Sequence, residues 1–428
     1  MLTLAARYVF PVEGPPIADG RVSIADGRIV RVGEADDAHP VDLDLGNSAI
    51  TPGFVNAHTH LELEPIAAPS PSPSPSTPAA PPAVDDGPED EVDWLRRVVA
   101  GRRRAAPGSG REAAARNVAA SVAAGTTTLA DTTTAGQSWD AVAAAPLRGV
   151  VLSELIGLNR LRGLETSGAA FDWLSSVRTD DPDAKTRPGL SPHAPYSTAG
   201  WLYHRAAASG LPLSTHLAEM PEEAEFLETG GGRLRRFLED LGAWDDDWEP
   251  IGPRPSDYIR RGELRNADWI VAHGTYFDPS EFWQLRPGAA PGGQRVAVAY
   301  CPRTHARFGH ALHPYRAMLE RGIVVCLGTD SLASSPSLAV LDEARFLARR
   351  DESARGELLL TMATLFGAWA LRADDQTGSL KAGKSADLAV VALPDRDEPD
   401  PHRLLLDSDG PVLATMFRGE FVHGPWRA

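Results

Sequence analysis

A chain of 428 residues that is 43% hydrophobic can bury a large core, enough for one large barrel with a smaller module or for two to three ordinary domains. Its 42 Lys and Arg stand against 58 Asp and Glu, and the net charge of −16 argues against nucleic acid as a main partner while suiting a neutral or cationic small molecule. Two cysteines without CxxC spacing, Cys301 and Cys326, indicate neither a disulfide framework nor a structural zinc and read as buried strand residues.

The first ten residues are apolar but lack a basic leader and a cleavage site, so they read as a first strand. No apolar run reaches the roughly 18 residues of a membrane span, and a cytoplasmic enzyme is the expectation. Residues 2–45 alternate short strands with turns, and Ala18-Asp19-Gly20 and Ala25-Asp26-Gly27 each carry the Asp-Gly signal of a tight hairpin. At the other end, Gly378 to Asp387 leads into strands at 388–393 and 411–422. The two ends are expected to combine: residues 1–49 and 376–428 form a small β-sandwich flanking a central domain over 50–375.

That domain opens on an apolar run, residues 49–60, ending in His58 and His60. On an extended strand both point to one side and can grip one cation. A proline-serine tract at 69–82 and an acidic run to Glu91 follow as a surface loop, a lid or a plain spacer. A helix over 92–104 carries Trp94 as core or pocket wall. Strand-like stretches then recur at 126–130, 149–156, 187–191, 211–215, 269–272, 296–301 and 323–328, several of them ending in His193, His216, His273 or Asp330. With the opening strand they number eight, separated by helical stretches, which predicts an α/β fold, a (β/α)8 TIM barrel with its chemistry at the C-terminal strand ends.

His216 precedes Glu219 by three residues, so a turn into helix puts a metal-binding and a proton-moving group on one face, whereas Glu222, Glu223 and Glu225 read as solvated. Three histidines and an aspartate suit zinc or ferrous iron with a position left for water. Together, Pro-Gly-Phe-Val-Asn-Ala-His58-Thr-His60, Thr-His216-Leu-Ala-Glu219, Ala-His273-Gly and Gly-Thr-Asp330-Ser resemble the amidohydrolase superfamily, in its nucleoside and triazine aminohydrolase branch. The resemblance spans nearly the whole chain. It implies that His58, His60, His216 and Asp330 hold one divalent metal, zinc or else iron, that Glu219 shuttles protons, and that His273 orients the attacking water. The carbamylated lysine of binuclear relatives has no counterpart, because the fourth strand ends in Ser191-Pro192-His193.

His193 resembles a substrate-contacting histidine of the branch. The segments holding Glu62 and Trp94, and the stretch from Gly328 through Ser334 to Leu338, are similar to aminodeoxyfutalosine deaminases and imply substrate contacts by Glu62, Trp94 and Ser334. The segment 301–310 departs from the Cys-Pro-x-Ser-Asn form of methylthioadenosine and S-adenosylhomocysteine deaminases, so Arg303, His305 and His310 either touch substrate or satisfy one another. Expected is a metal-dependent aminohydrolase releasing ammonia from an adenine-type nucleoside. Hydrolysis of a cyclic amide or of a ring chloride in a non-nucleoside heterocycle, and a metal-binding barrel without activity, stand as alternatives. A small molecule is the expected partner, with a homodimer left open.

Overall fold

A computed structural model describes residues 1–34, 40–66, 88–177, 184–250, 252–287 and 294–427. The tract at 69–82, and with it the question of lid or spacer, lies outside the described residues.

Both chain ends are knitted into one sheet. Leu2–Val9 pairs antiparallel with Ile17–Ala25, which pairs with Arg28–Gly33, while Ser48–Pro52 joins Leu2–Val9 to Leu388–Ala392, followed by Val412–Phe417 and Glu420–His423. The expected sandwich is thus one continuous sheet that curls. Its far edge returns to the C-terminal segment through Ile29 N donating to Lys384 O at 2.9 Å, around a shared core that includes Leu4, Val22, Ile50, Leu388 and Met416. Of the two Asp-Gly signals only Asp26-Gly27 makes a hairpin, both residues having positive φ (50° and 72°). Asp19-Gly20 lies inside Ile17–Ala25, and Gly20 is required there because a Cβ would meet Val9 at 2.7 Å.

The apolar run before His58 is two strands where the sequence reading expects one. Ser48–Pro52 belongs to the terminal sheet and Phe54–Thr59 opens the barrel. The break falls at Gly53, whose amide donates to Asp387 O and where a Cβ would stand 2.1 Å from Thr127 Oγ1. A side chain cannot fit at that junction.

Seven more parallel strands follow in consecutive order: Thr126–Thr133, Arg148–Leu155, Thr186–Pro192, Leu213–Leu217, Trp269–His273, Val296–Tyr300 and Val324–Leu327. Alternate residues such as Ala57, Ala130, Leu152, Ile270, Ala299 and Cys326 meet in one cluster, the interior of the barrel. Their neighbours in sequence, Leu129, Val151, Val271 and Val298, pack outward under the helices. Closure between the last and first strands is made at the strand ends, where the amides of Thr329 and Asp330 donate to His58 O at 3.1 Å and His60 N donates to Asp330 O at 3.1 Å. The seam of the barrel therefore passes through the residues marked as ligands.

A helix at Glu91–Arg104 lies across this rim. Asp90 caps it by accepting from Asp93 N at 3.0 Å, with acids in its first turn and arginines in its last, both complementing the helix dipole. Glu91, Trp94 and Val98 are buried and Arg102 continues the same face. Trp94 donates from Nε1 to Ala333 O and packs with Phe308 and Val98 in a small apolar layer. At one end Glu91 meets His310, beyond the seventh strand, and at the other Arg102 reaches Glu62 and Glu154, beyond the first and at the third. The helix roofs the mouth of the barrel.

Candidate active site

His58 and His60 come from the first barrel strand and His216 from the fifth, and their ligand atoms lie within 4.8 Å of one another. The Nε2 atoms of His60 and His216 are 3.1 Å apart, and Asp330 Oδ1 stands 3.8 Å from Nε2 of both His58 and His60. His216 donates from Nδ1 to His193 O at 2.9 Å, which leaves its Nε2 lone pair facing the cluster. Burial pushes His58, His60, His193 and His273 well below the usual imidazole range and lowers His216 as well. Neutral imidazole is the form that binds metal.

The buried Nε2 of His58 has no hydrogen-bond partner among the described residues. An orphaned lone pair in a dry site is costly unless a cation takes it, and three neutral imidazoles with one carboxylate form a donor set for a divalent metal. Asp330 Oδ2 accepts from Ser334 Oγ and, at 3.4 Å, from Thr304 Oγ1, leaving Oδ1 to face the histidines. Burial, together with the nearby Glu91 and Glu343 charges, pushes its carboxyl up to about 7 in the metal-free protein.

His273 ends its strand with φ 68°, Asp330, three residues past the last barrel strand, has φ 55°, and Ala218, beside Glu219, has φ 53°. Non-glycine residues in this region cost of order 1–3 kcal/mol each and cluster where a site over-determines the backbone. Glu219 Oε1 lies 3.1 Å from His273 Nε2. Burial first, then the charges of Glu91 and Asp330, hold the Glu219 carboxyl well above the usual range, as a proton donor requires. A small pocket opens beside this pair, lined also by Thr275, Tyr300, Cys301, Thr304, His305 and His310.

The opposite wall carries His193, whose Nδ1 is 2.6 Å from Ser197 Oγ and whose ring is 4.8 Å from that of His216. Glu62 sits there fully engaged, accepting from Arg102, from Thr133 Oγ1 and from both the amide and hydroxyl of Thr134. Ser334 supports Asp330, Trp94 belongs to the roof layer, and His305 donates to Ala311 O at 2.6 Å while lining the pocket. Arg303, left open between substrate contact and mutual pairing on its loop, is held by neighbouring protein groups. Its guanidinium is engaged by Glu343 at 2.7 Å and by Ser337, and it is absent from the pocket lining among the described residues.

Sequence reasoning missed four groups. Glu91, Arg102 and Glu154 all border the site, and the spacing of Glu91, Trp94, Val98 and Arg102 along one helical face was the available signal. Glu223 is a correction: the residue read as solvated is buried and accepts from the amides of Ala218 at 3.0 Å and Glu219 at 3.1 Å. Glu225 is exposed as expected, and half-buried Glu222 pairs with Arg233 at 3.2 Å.

Known proteins resemble the chain over most of its length. The chain is 27% identical over 411 residues to a 5-methylthioadenosine/S-adenosylhomocysteine deaminase of Moorella thermoacetica, covering 90% of this chain and 83% of that protein. Its fold superposes on Helicobacter pylori aminofutalosine deaminase with a TM-score of 0.77 at 22% identity, covering 99% of this chain and all of that one. It superposes on an adenosine deaminase from Xanthomonas campestris with bound zinc with a TM-score of 0.75 at 23% identity, covering 99% and 93%. The Amidohydrolase family matches residues 49–422, seven-eighths of the sequence and both halves of the barrel seam, and the chain belongs to that family.

Proposed function

We propose that the protein is a hydrolytic deaminase that releases ammonia from an adenine-type nucleoside, with S-adenosylhomocysteine, methylthioadenosine and aminodeoxyfutalosine as candidate substrates. The observation that carries this reading is the placement of a buried carboxyl, Glu219, 3.1 Å from His273 Nε2 and lining a pocket beside the cluster of His58, His60, His216 and Asp330. Hydrolysis of an exocyclic amine needs a nucleophile on one side of the ring carbon and an acid at the adjacent ring nitrogen, and few other reactions need both so close. The names of the curated relatives support the nucleoside class.

In this reading His58, His60, His216 and Asp330 hold one divalent metal, zinc being the candidate that three imidazoles and one carboxylate favour over iron. The metal when bound supplies Lewis acidity that makes water nucleophilic near neutral pH. Asp330 Oδ1 accepts the proton of the attacking water, its other oxygen being tied to Ser334 and Thr304. Glu219 protonates the ring nitrogen and afterwards the departing amine. His273, fixed through its carbonyl by His313 Nε2 at 2.7 Å, keeps the Glu219 carboxyl facing the reacting carbon. His193 and Glu62, with Arg102, form the wall against which the rest of the substrate lies.

The test is ammonia release from a panel of adenosine derivatives, cytosine, guanine and chlorinated or aminated triazines. Turnover confined to adenine nucleosides is the expected result. Turnover of triazines or of a cyclic amide with none of the nucleosides overturns the reading.

A further inference from the structure

His58 and His60 lie on one side of the barrel's seam and Asp330 on the other. Among the described residues the last barrel strand, Val324–Leu327, and the first, Phe54–Thr59, share no ladder, and the one bridge at the seam joins Thr59 to Asp330. Gly328 permits the close approach, because a Cβ there would stand 2.9 Å from His58 Cβ and 3.0 Å from His58 O. Asn56 spans the seam with its side chain: Nδ2 donates to Thr329 Oγ1 at 2.7 Å and Oδ1 accepts from Thr329 N at 3.1 Å, both residues being fully buried. The next residue, Asp330, has φ 55°, a strained conformation that persists only where its surroundings over-determine it.

We propose that Asn56 and Thr329 are positioning residues for the metal donors: their paired hydrogen bonds hold the backbone just before Asp330 against the first strand and so keep the Asp330 carboxylate beside the histidines. A carboxamide suits this place because it carries both the donor that the Thr329 hydroxyl oxygen accepts from and the acceptor that the Thr329 amide needs. Without it, Thr329 keeps toward the first strand only the bond from its amide to His58 O. Asp330 is then free to relax its φ, and its carboxylate leaves the position 3.8 Å from Nε2 of His58 and His60. Thr59 Oγ1, which donates to Asp330 O at 2.8 Å, restrains the carbonyl of Asp330 but not the backbone ahead of it. No bond to metal or substrate is assigned to Asn56 or Thr329. The inference rests on the reading of His58, His60, His216 and Asp330 as one metal site.

The test is the zinc affinity of the full-length protein, measured by competition with a chromogenic chelator. Thr329→Val, which keeps shape and removes the hydroxyl, and Asn56→Ala are each expected to weaken zinc binding by about 10- to 100-fold, the range typical of groups that hold metal ligands in place. Thr329→Ser keeps the hydroxyl and should stay within about threefold of wild type. The double variant should bind no more than about twofold more weakly than the weaker single variant, because both substitutions remove one contact. Arg303→Ala controls for stability alone: its ion pair with Glu343 lies away from the seam, so it should keep wild-type affinity. Where a variant unfolds without metal, the rate of zinc release from the loaded protein into excess chelator reads the same difference. Wild-type affinity in both single variants, additive losses in the double, a loss in Thr329→Ser equal to that in Thr329→Val, or an equal loss in Arg303→Ala overturns the positioning role. Failure of the underlying reading is separately visible, since His216→Ala would then hold zinc as tightly as wild type.

Discussion

The backbone amide of Glu219 donates to the Glu223 carboxylate at 3.1 Å, and that of Ala218 donates to its other oxygen at 3.0 Å. Glu223 thereby closes the turn after the fifth barrel strand, including Ala218 in its left-handed conformation. Glu223→Gln offers one acceptor where two are needed and leaves an amide unsatisfied, which costs about 1–3 kcal/mol when buried. Stability should fall by about that amount, and kcat about tenfold as Glu219 shifts, whereas Glu225→Gln changes neither. Urea unfolding and steady-state kinetics on both variants check this; a wild-type profile for Glu223→Gln would sink it.

Burial pushes the Glu223 carboxyl up to about 7 from an ordinary 4.5, despite its two amide hydrogen bonds and with the nearby Glu91 and Glu281 charges adding to the shift. Between those values the folded chain keeps a proton that the unfolded chain releases. The contribution is therefore fully present below pH 4.5 and is lost as pH rises through about 7, amounting to at most about 3 kcal/mol. Wild type should lose stability relative to Glu223→Gln on going from pH 5 to pH 8. Parallel stability curves for the two proteins would exclude the shift.

Purified protein should carry about one divalent metal per chain. Three imidazoles and Asp330 converge on a single point, and His193, at the end of the fourth strand where a bridging lysine would sit, is tied to Ser197. Elemental analysis is expected to show one zinc or iron, falling below about one-tenth in His216→Ala. Chelation should also lower the thermal midpoint, since a ligand bound to the native state alone stabilises it. Two tightly held metals per barrel would contradict the assignment.

Arg303 and Glu343 form a buried pair, the carboxylate fully enclosed and the guanidinium largely so. Breaking one side of such a pair leaves a buried charge and costs about 3–5 kcal/mol. Arg303→Ala should therefore lose stability of that order while KM stays within about twofold. A tenfold rise in KM with unchanged stability would restore the substrate contact that the sequence suggested.

The barrel and the strand ends that bring His58, His60, His216 and Asp330 together were legible because they obey local rules. A His-x-His on an extended strand shares a side whatever surrounds it, and repeated apolar runs ending in His216, His273 and Asp330 need only strand periodicity to be seen. Gly53 was not legible as a break between two sheets, because an apolar run looks the same on either side of it and only the approach of Thr127 forbids a side chain. Glu91 and Glu223 were misread for a related reason. Acids in the first turn of a helix are ordinarily solvated partners of the helix dipole, and nothing in Pro221-Glu222-Glu223 distinguishes the buried Glu223 from half-exposed Glu222. Arg303 poses the opposite case: a basic residue after a strand end is open to substrate contact or to a structural pair, and the sequence does not show its partner Glu343, 40 residues away.

Glu219 is where the proposed chemistry is most exposed to disproof. If its carboxyl protonates the ring nitrogen and then the departing amine, Glu219→Gln preserves shape and the contact with His273 but removes both transfers. General acid–base groups contribute about 10²- to 10⁴-fold, and one group acting in two steps belongs in the upper part of that range. Metal content should be unchanged, because Glu219 is not among the histidines that converge on the metal position. KM should move little, since the wall formed by His193, Glu62 and Arg102 is untouched. The variant should also be at least as stable as wild type: burial and two neighbouring carboxylates make the charged form of Glu219 costly, and glutamine has no charge to bury. A loss of activity accompanied by loss of metal or of folding would assign Glu219 a structural task. Near-normal turnover with full metal occupancy would falsify its role as proton shuttle, and would return the barrel to the reading in which metal is bound without this reaction.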